Sequence, residues 1–484
     1  MLNVEPIVPD LTPTAGASRR PRKLTWLPQH AGADDGLRSR LEEVAALPFV
    51  EHVLALPDLH QKAGMEVPSS LSIRTRGMVV PEFTSVAVND GMGVIVTDLH
   101  RDAFDADSVR RFFHAIARHA ASSPLDTNRY SLSAADLRAC LTTGARAAVR
   151  RYELPGTWLD RFEDGGCVAD WPGGEPRVEE TVPWLMLRHH ATRSEMGLNF
   201  GGNHFLEVQE VEWVRDPEQA ARWGLRTGQV VVMYHLGPGT FGGTLLHHLN
   251  RRLKTARARV PLYFASKLLF HYVQRLRTGR LGEKWALHFR RNDLTPLATD
   301  SEAGRFFHRA LTLATNAGSA YRMATVRAVM DGLAETLGPG VRCDLLCDVS
   351  HNGIQFEPGA NGGTWTARHN ACRLAEGRAA IVAGDADVPS YLAIGGSPEA
   401  TGIDSYDHGA GHLIAGARRA GRLVPATGQS TRLRMTRGRN ARIVSESNLP
   451  LRGAEPIEQL MDRFEANGAM RPVVRLRPIA TLKN

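Results

Sequence analysis

VVVMYHLGPGTFGG, residues 230 to 243, runs from β-branched residues into a histidine and then into a glycine-rich turn. The apolar start reads as a buried strand, and the glycines and proline end it. His235 therefore stands at a strand end, where glycine lets the backbone approach a ligand closely. Similar short runs occur at VIVTDL (94 to 99), DLLCDV (344 to 349) and AAIV (379 to 382). Helical periodicity lies between them, at 36 to 47, at 107 to 121, across roughly 301 to 336 and at 456 to 466. Asp107 and Ser108 offer an N-cap for the second of these. Helices and strands mix irregularly, with no βαβ alternation and no internal repeat. The fold class expected is α+β, with mixed sheets and surrounding helices.

The candidate chemical residues are scattered from position 60 to position 483, each beside a strand end or a glycine turn. That spread predicts one interwoven domain over 26–484, although 484 residues could also hold two or three smaller ones. Residues 1–25 are set apart as a flexible N-terminal segment. Within it DLTPTAGASRRPRK (10 to 23) is rich in proline, small residues and positive charge.

Hydrophobic residues make up 43% of the chain and charged residues 23%, a balance that excludes disorder as the dominant state. The formal net charge of +8 is carried by arginine clusters: Arg251, Arg252, Lys254, Arg257 and Arg259, then Arg432, Arg434, Arg437, Arg439 and Arg442. Such clusters suit a polyanion, and they also follow from arginine-rich composition; charge alone leaves both open. Five cysteines without a CxxC pair disfavour a disulfide framework or a structural zinc and fit a reducing cytoplasm. No stretch approaches the roughly 18 apolar residues of a membrane span, and MLNVEPIVPD lacks the order of a signal peptide, so a cytoplasmic protein is expected.

Four histidines share the glycine-rich setting: GGNHFLEVQ (201 to 209), MYHLGPGTFGG (233 to 243), DVSHNGIQFE (348 to 357) and YDHGAGHL (406 to 413). One such histidine is more often a packing residue than a ligand; four in the same context point to a shared pocket. Imidazole suits Zn, Mn, Fe, Ni and Cu alike, so the donor type does not name the metal. PEFTSVAVNDGMGVIVTDL (81 to 99) adds Asp90 in a turn before a strand, either capping its own backbone or offering a carboxylate that could bridge two cations. LPDLHQKAG (56 to 64) sets Asp58 and His60 two apart on one strand face, as support for a metal cluster or as a polar edge of the core. IVAGDADVPSYL (381 to 392) reads as a strand and a small-residue turn whose amides could cradle phosphate. It is not GxxxxGK[ST], which disfavours P-loop chemistry.

With GGNHFLEVQ, DVSHNGIQFE and DHGAGH in this order, the sequence resembles the RtcB family of RNA ligases, from PDLH at 57 to the terminal LKN at 482. The resemblance implies joining of an RNA 3′-phosphate, or a 2′,3′-cyclic phosphate after hydrolysis, to a 5′-hydroxyl, with GTP and one or two manganese ions, in RNA repair or tRNA splicing. It implies that His204, His235 and His351 are metal ligands and that His408 takes GMP as a guanylyl-histidine; the Asp90 carboxylate is read as a further ligand beside them. It puts Asn203, His351 and Asn352 near the nucleotide and its phosphates, with Glu207 in the same motif as Asn203. It makes Ala383 to Leu392 a guanine-nucleotide loop, with Ala383, Gly384, Asp385 and Ser390 as contacts and Gly409 and Gly411 beside the nucleophile. Lys483 would reach the guanine base.

The chain also departs from that family. A gapless match sets Ala87 where the family has an aspartate ligand and Asp90 where it has a bridging cysteine; a register slip would instead let Asp90 replace the aspartate. Asp385 and Ala386 replace the Ser-Met of the loop, and an added carboxylate beside a phosphate is repulsive unless it binds metal. His412 stands where HGAGR has arginine, and RHNACR (368 to 373) matches HRKGATR only loosely. Two other readings fit the same scaffold. One is a metal-dependent phosphoesterase or nucleotidyltransferase acting on other nucleic-acid ends; the other is a catalytically silent RNA-binding paralogue.

Overall fold

The computed structural model describes residues 24–27, 35–62, 65–85, 87–122, 126–168, 177–182, 184–188, 193, 196–239, 241–242, 245, 294–359 and 362–483. The Arg251 to Arg259 cluster and the chain before residue 24 lie outside them. Leu24 and Thr25, inside the expected flexible segment, belong to a strand that pairs in parallel with Val53 and Leu54.

Two sheets organise the chain. The larger has nine strands, and its main path runs Ala379–Val382, Ser390–Gly395, Met470–Lys483, Phe205–Val214, Gln229–Leu236, Gly91–His100 and Cys343–Ser350. The hairpin of Pro425–Met435 and Ile443–Arg452 joins it alongside Met470–Lys483. The smaller has five strands, in the order Leu24–Trp26, Val50–His60, Ser69–Thr75, Thr364–His369 and Asn352–Glu357. All four apolar runs singled out in the sequence fall inside strands of the larger sheet. Helices and strands mix without βαβ order, and the class is α+β.

Period-two alternation decides which side chains meet. Met92 pairs with His235 on one side and Val349 on the other, and His235 pairs with Phe205. Met92, Met233 and Val349 all enter one apolar cluster, whereas Tyr234 and Val232 point into the other. Asp90, His235 and His351 have the parity of Met92, Met233 and Val349, so they reach the same face at the same end of the sheet.

The long helix Glu302–Leu337 is capped by Ser301, whose Oγ accepts the Gly304 N–H, and is buried along most of its length. The helix Ala106–Ala117 starts earlier than its apolar periodicity suggests: its N-cap is Asp105, which accepts the Ser108 N–H at 2.7 Å, rather than Asp107 or Ser108. The first turn of a helix needs no apolar residue, so the pattern that starts at Val109 misplaces the cap by two or three residues. Among the described residues no helix is long and apolar enough to cross a membrane.

Candidate active site

Asp90 sits at the end of a turn held from behind. Asn89 takes a left-handed conformation (φ 57°), which asparagine tolerates better than most residues. Its side-chain amide donates to Ser319 Oγ on the long helix at 2.9 Å. Arg322, fully buried on that helix, donates to the Asn89 carbonyl and to both oxygens of Asp348. The Asp90 carbonyl accepts the His351 N–H at 2.9 Å, which joins the two segments through the backbone.

The Asp90 carboxylate faces three imidazoles. Its Oδ2 lies 3.4 Å from His204 Nε2 and 3.5 Å from His351 Nε2, and its Oδ1 lies 3.5 Å from His235 Nε2. The Nε2 atoms of His235 and His351 are 3.3 Å apart. These are the separations of neighbouring donors around one ion with bonds of about 2.0–2.2 Å. Asp90 Oδ1 and His351 Nδ1 are buried without a hydrogen-bond partner among the described residues, a state that costs free energy unless something else satisfies them. Burial pushes Asp90 up, yet His351, His204 and His235 together hold it well below the usual carboxylate range. Burial pushes His235 down to about 4. An ionised carboxylate facing three imidazole nitrogens is a donor set that fits a divalent cation. The donors fall into two overlapping groups, Asp90 with His204 and His235, and His235 with His351 and His408. Ala87 offers no side-chain donor atom, and its N–H is spent on Ser85 Oγ.

Glycine permits the approach that the sequence suggests. A Cβ on Gly237 would come within 2.8 Å of the His204 ring, and one on Gly409 within 2.8 Å of the Ala383 carbonyl.

His408 follows the strand Ser405–Asp407 and precedes the helix Gly411–Arg419. Its ring stacks on His351 at 4.4 Å between centroids, tilted by 22°, and lies 5.9 Å from that of His235. Its Nδ1 is 3.1 Å from the Asn370 carbonyl oxygen. A carbonyl can only accept, so Nδ1 carries the proton and Nε2 keeps the lone pair. Burial, then His351, His235 and Lys62, push the His408 pKa well below the usual imidazole value, so the ring is neutral near pH 7.

Asp58 and His60 stand one step behind this ring, outside the ligand groups. Asp58 accepts the N–H groups of His412 and Leu413 at 3.2 and 2.7 Å, capping the helix after His408, and its own N–H donates to Asp407. His60 stacks flat on His412, with centroids 4.6 Å apart. Asn352 also supports from behind: its side-chain oxygen accepts the Asn370 N–H at 2.9 Å, and so steadies the carbonyl that orients His408. Asn203 is exposed in the turn before His204.

The loop after Val382 corrects one expectation. Its amides do not form an open cradle. Ala383 N–H bonds the His408 carbonyl, Gly384 N–H bonds Ser390 Oγ, Asp385 and Val388 bond each other, and Ala386 N–H bonds the Asp385 carboxylate. A tight turn spends its amides on itself, which leaves side chains and carbonyls to meet a ligand. The extra carboxylate of Asp385 is answered by cations: Arg418 at 2.9 Å and Arg432 at 3.6 Å. Gly411 opens the helix that carries Arg418. Nearby, Glu207 accepts from Thr481 and Gln209, both at 2.5 Å; burial pushes it up to about 7, and Lys483 partly offsets that.

Sequence reasoning passed over Asn370, Arg322, Arg418 and Lys62. Asn370 left a usable signal, an asparagine in the tight HNA turn between two strands, where its φ is 53°. Lys62 lies within electrostatic reach of Asp90 and Asp58, with its pKa lowered by burial. The partners of Arg322 and Arg418 are set by tertiary contacts, and nothing local marks them.

The sequence model of the family described as tRNA-splicing ligase RtcB matches residues 40–484. The RNA-splicing ligase RtcB of Mycobacterium tuberculosis is 25% identical over 474 residues, covering 91% of this chain and 99% of that protein. The tRNA-splicing ligase RtcB of Pyrobaculum aerophilum is 23% identical over 458 residues, covering 89% and 87%. That of Thermococcus kodakarensis is 24% identical over 347 residues, covering 68% and 64%.

Proposed function

The chain belongs to the RtcB family, and we propose that it is a GTP- and manganese-dependent RNA ligase that works through His408. It joins an RNA 3′-phosphate, or a 2′,3′-cyclic phosphate after hydrolysis, to a 5′-hydroxyl, in RNA repair or tRNA splicing in the cytoplasm. The observation that carries the reading is the His408 ring: neutral, proton fixed on Nδ1, stacked on His351 at the edge of a cation site.

Nε2 of His408 attacks the α-phosphorus of GTP, forming an N–P bond as the bond to pyrophosphate breaks. Asn370 keeps Nδ1 protonated and shares the positive charge that develops on the ring. An oxygen of the RNA 3′-phosphate next takes the GMP, breaking the N–P bond and restoring neutral His408. The 5′-hydroxyl then attacks the 3′-phosphorus, loses its proton and expels GMP, leaving a phosphodiester. Asp90, His204, His235 and His351 would hold manganese, which when bound neutralises phosphate charge and favours departure of pyrophosphate. Asp385, matched to Arg418, does not confront the nucleotide as a bare charge. Lys483 and Ser390 border the place expected for guanine, while Ala383 and Gly409 strap the loop to the nucleophile.

The test is joining. RNA with 3′-phosphate and 5′-hydroxyl ends, incubated with the protein, GTP and Mn²⁺, should give a ligated product that is absent without GTP. Release of phosphate without joining would favour a phosphoesterase, and binding without any turnover a silent paralogue.

A further inference from the structure

We propose that the hairpin Pro425–Met435/Ile443–Arg452 is the docking strip for the RNA strand entering the site, with Arg434, Arg439 and Arg442 on its phosphates. The direction of entry rests on the ligase reading; the binding itself does not.

Register carries the first part of the case. Glu207 pairs with Thr481, Thr481 with Arg432, and Arg432 with Ser447. In the next row Lys483 pairs with Arg434, and Arg434 with Ser445. Partners in register project on the same face of a sheet. A continuous polar row therefore leads from Glu207 and Lys483 outward to the hairpin, while Leu433 and Met435 are buried against the core on the other face.

Charge carries the second part. Residues 425–452 contain six arginines and a single acidic residue, Glu446. Glu446 is engaged by Arg110 on the helix Ala106–Ala117. Arg434, Arg439 and Arg442 are exposed and have no ion-pair partner among the described residues. Elsewhere on this sheet Arg475 and Arg477 are matched to Glu212, Glu458 and Glu210. The unmatched cations are thus gathered on one strip, and Ser445 and Ser447 add hydroxyl donors beside them.

The strip is also held in place. Arg437 donates to Asn199, ahead of the turn that carries Asn203 and His204, Gly438 N–H bonds the Ala117 carbonyl, and His114 bonds the Ala441 carbonyl. A fixed row of cations and hydroxyls recognises a phosphodiester backbone. The hairpin has no aromatic residue for bases to stack on, so binding should be indifferent to base sequence.

The test uses the full chain, a short single-stranded RNA with a 3′-phosphate, and the triple variant Arg434→Gln, Arg439→Gln, Arg442→Gln. Fluorescence anisotropy across a salt series should give weaker binding and a log K against log salt slope shallower by about 2, roughly 0.7 for each phosphate no longer neutralised. RNAs of different sequence should be affected alike. Labelling of His408 by GTP without RNA should be unchanged. If the triple variant melts lower than the parent, the three single variants, each expected to lower the slope by about 0.7, decide the matter. Equal affinity and slope in parent and variant overturns the proposal while leaving the ligase reading intact, as does a parent that binds no RNA but still labels. Absence of labelling with variant-sensitive RNA binding does the reverse.

Discussion

His408 Nδ1 stands 3.1 Å from the Asn370 carbonyl oxygen, and this contact decides which ring nitrogen can react. The unprotonated Nε2, the proposed nucleophile, belongs to a ring that lies beside those of His235 and His351. Asn370 is in turn held by Asn352, which neighbours His351, so the proposed nucleophile and the proposed cation site share one support.

Asp90 is the only carboxylate in the two donor groups found among the described residues. Asp90→Asn keeps the shape and removes the charge. Manganese affinity, measured by titration calorimetry, should fall by more than the roughly 10–100-fold typical of losing a mere supporting group. Asp90→Cys should instead shift preference from manganese toward zinc and cadmium, because a thiolate is the softer donor. An unchanged selectivity would show that Asp90 is not a ligand.

Arg322 and Asp348 form a buried ion pair that also holds the Asn89 carbonyl. Arg322→Met leaves the Asp348 charge unpaired in the core and should cost about 3–5 kcal/mol in urea unfolding. The double variant with Asp348→Leu should recover much of that loss. Because Asn89 precedes Asp90, even the stable double variant should bind manganese more weakly than the parent.

Glu207 gives a pH signature of defined sign. An unfolded glutamate loses its proton near the ordinary value, whereas buried Glu207 holds its proton up to about 7. Between these values the folded state binds the extra proton, so its contribution to stability falls as pH rises, by up to about 3 kcal/mol for a 2.5-unit gap. Glu207→Gln should remove this part of the decline between pH 4.5 and 7 in metal-free protein. Parallel curves for parent and variant would contradict the assignment.

Arg418 pairs with Asp385 at 2.9 Å in the loop proposed to meet the nucleotide. Arg418→Ala should raise the KM for GTP about fivefold, the roughly 1 kcal/mol expected of a partly exposed pair. Adding Asp385→Ser should restore it. A double variant as poor as the single would mean that Arg418 acts on the nucleotide directly.

The parts written locally were legible in the sequence. Strand runs such as VVVMYH and DLLCDV, the periodicity of the long helix and the glycine turns around His204, His235, His351 and His408 all depend on neighbours a few residues apart, and such neighbours are visible in the sequence. What escaped depends on residues far apart in the chain. Arg322 meets Asn89 across more than two hundred positions, and Arg418 meets Asp385 where the Ala383–Gly409 bridge brings two distant segments together. The phosphate cradle suggested for the turn after Val382 is not open, because the amides of Ala383, Gly384 and Ala386 already have protein partners, which composition alone does not reveal.

The most direct measurement is covalent labelling of the parent and of His408→Ala with GTP carrying its label on the α-phosphate, in the presence of Mn²⁺. The expected result is a labelled protein, stable in base and lost in acid as a phosphoramidate should be, with the label on the peptide that contains His408 and none on the variant. Label on another residue, or equal label on His408→Ala, would contradict the assignment of His408 as the nucleophile.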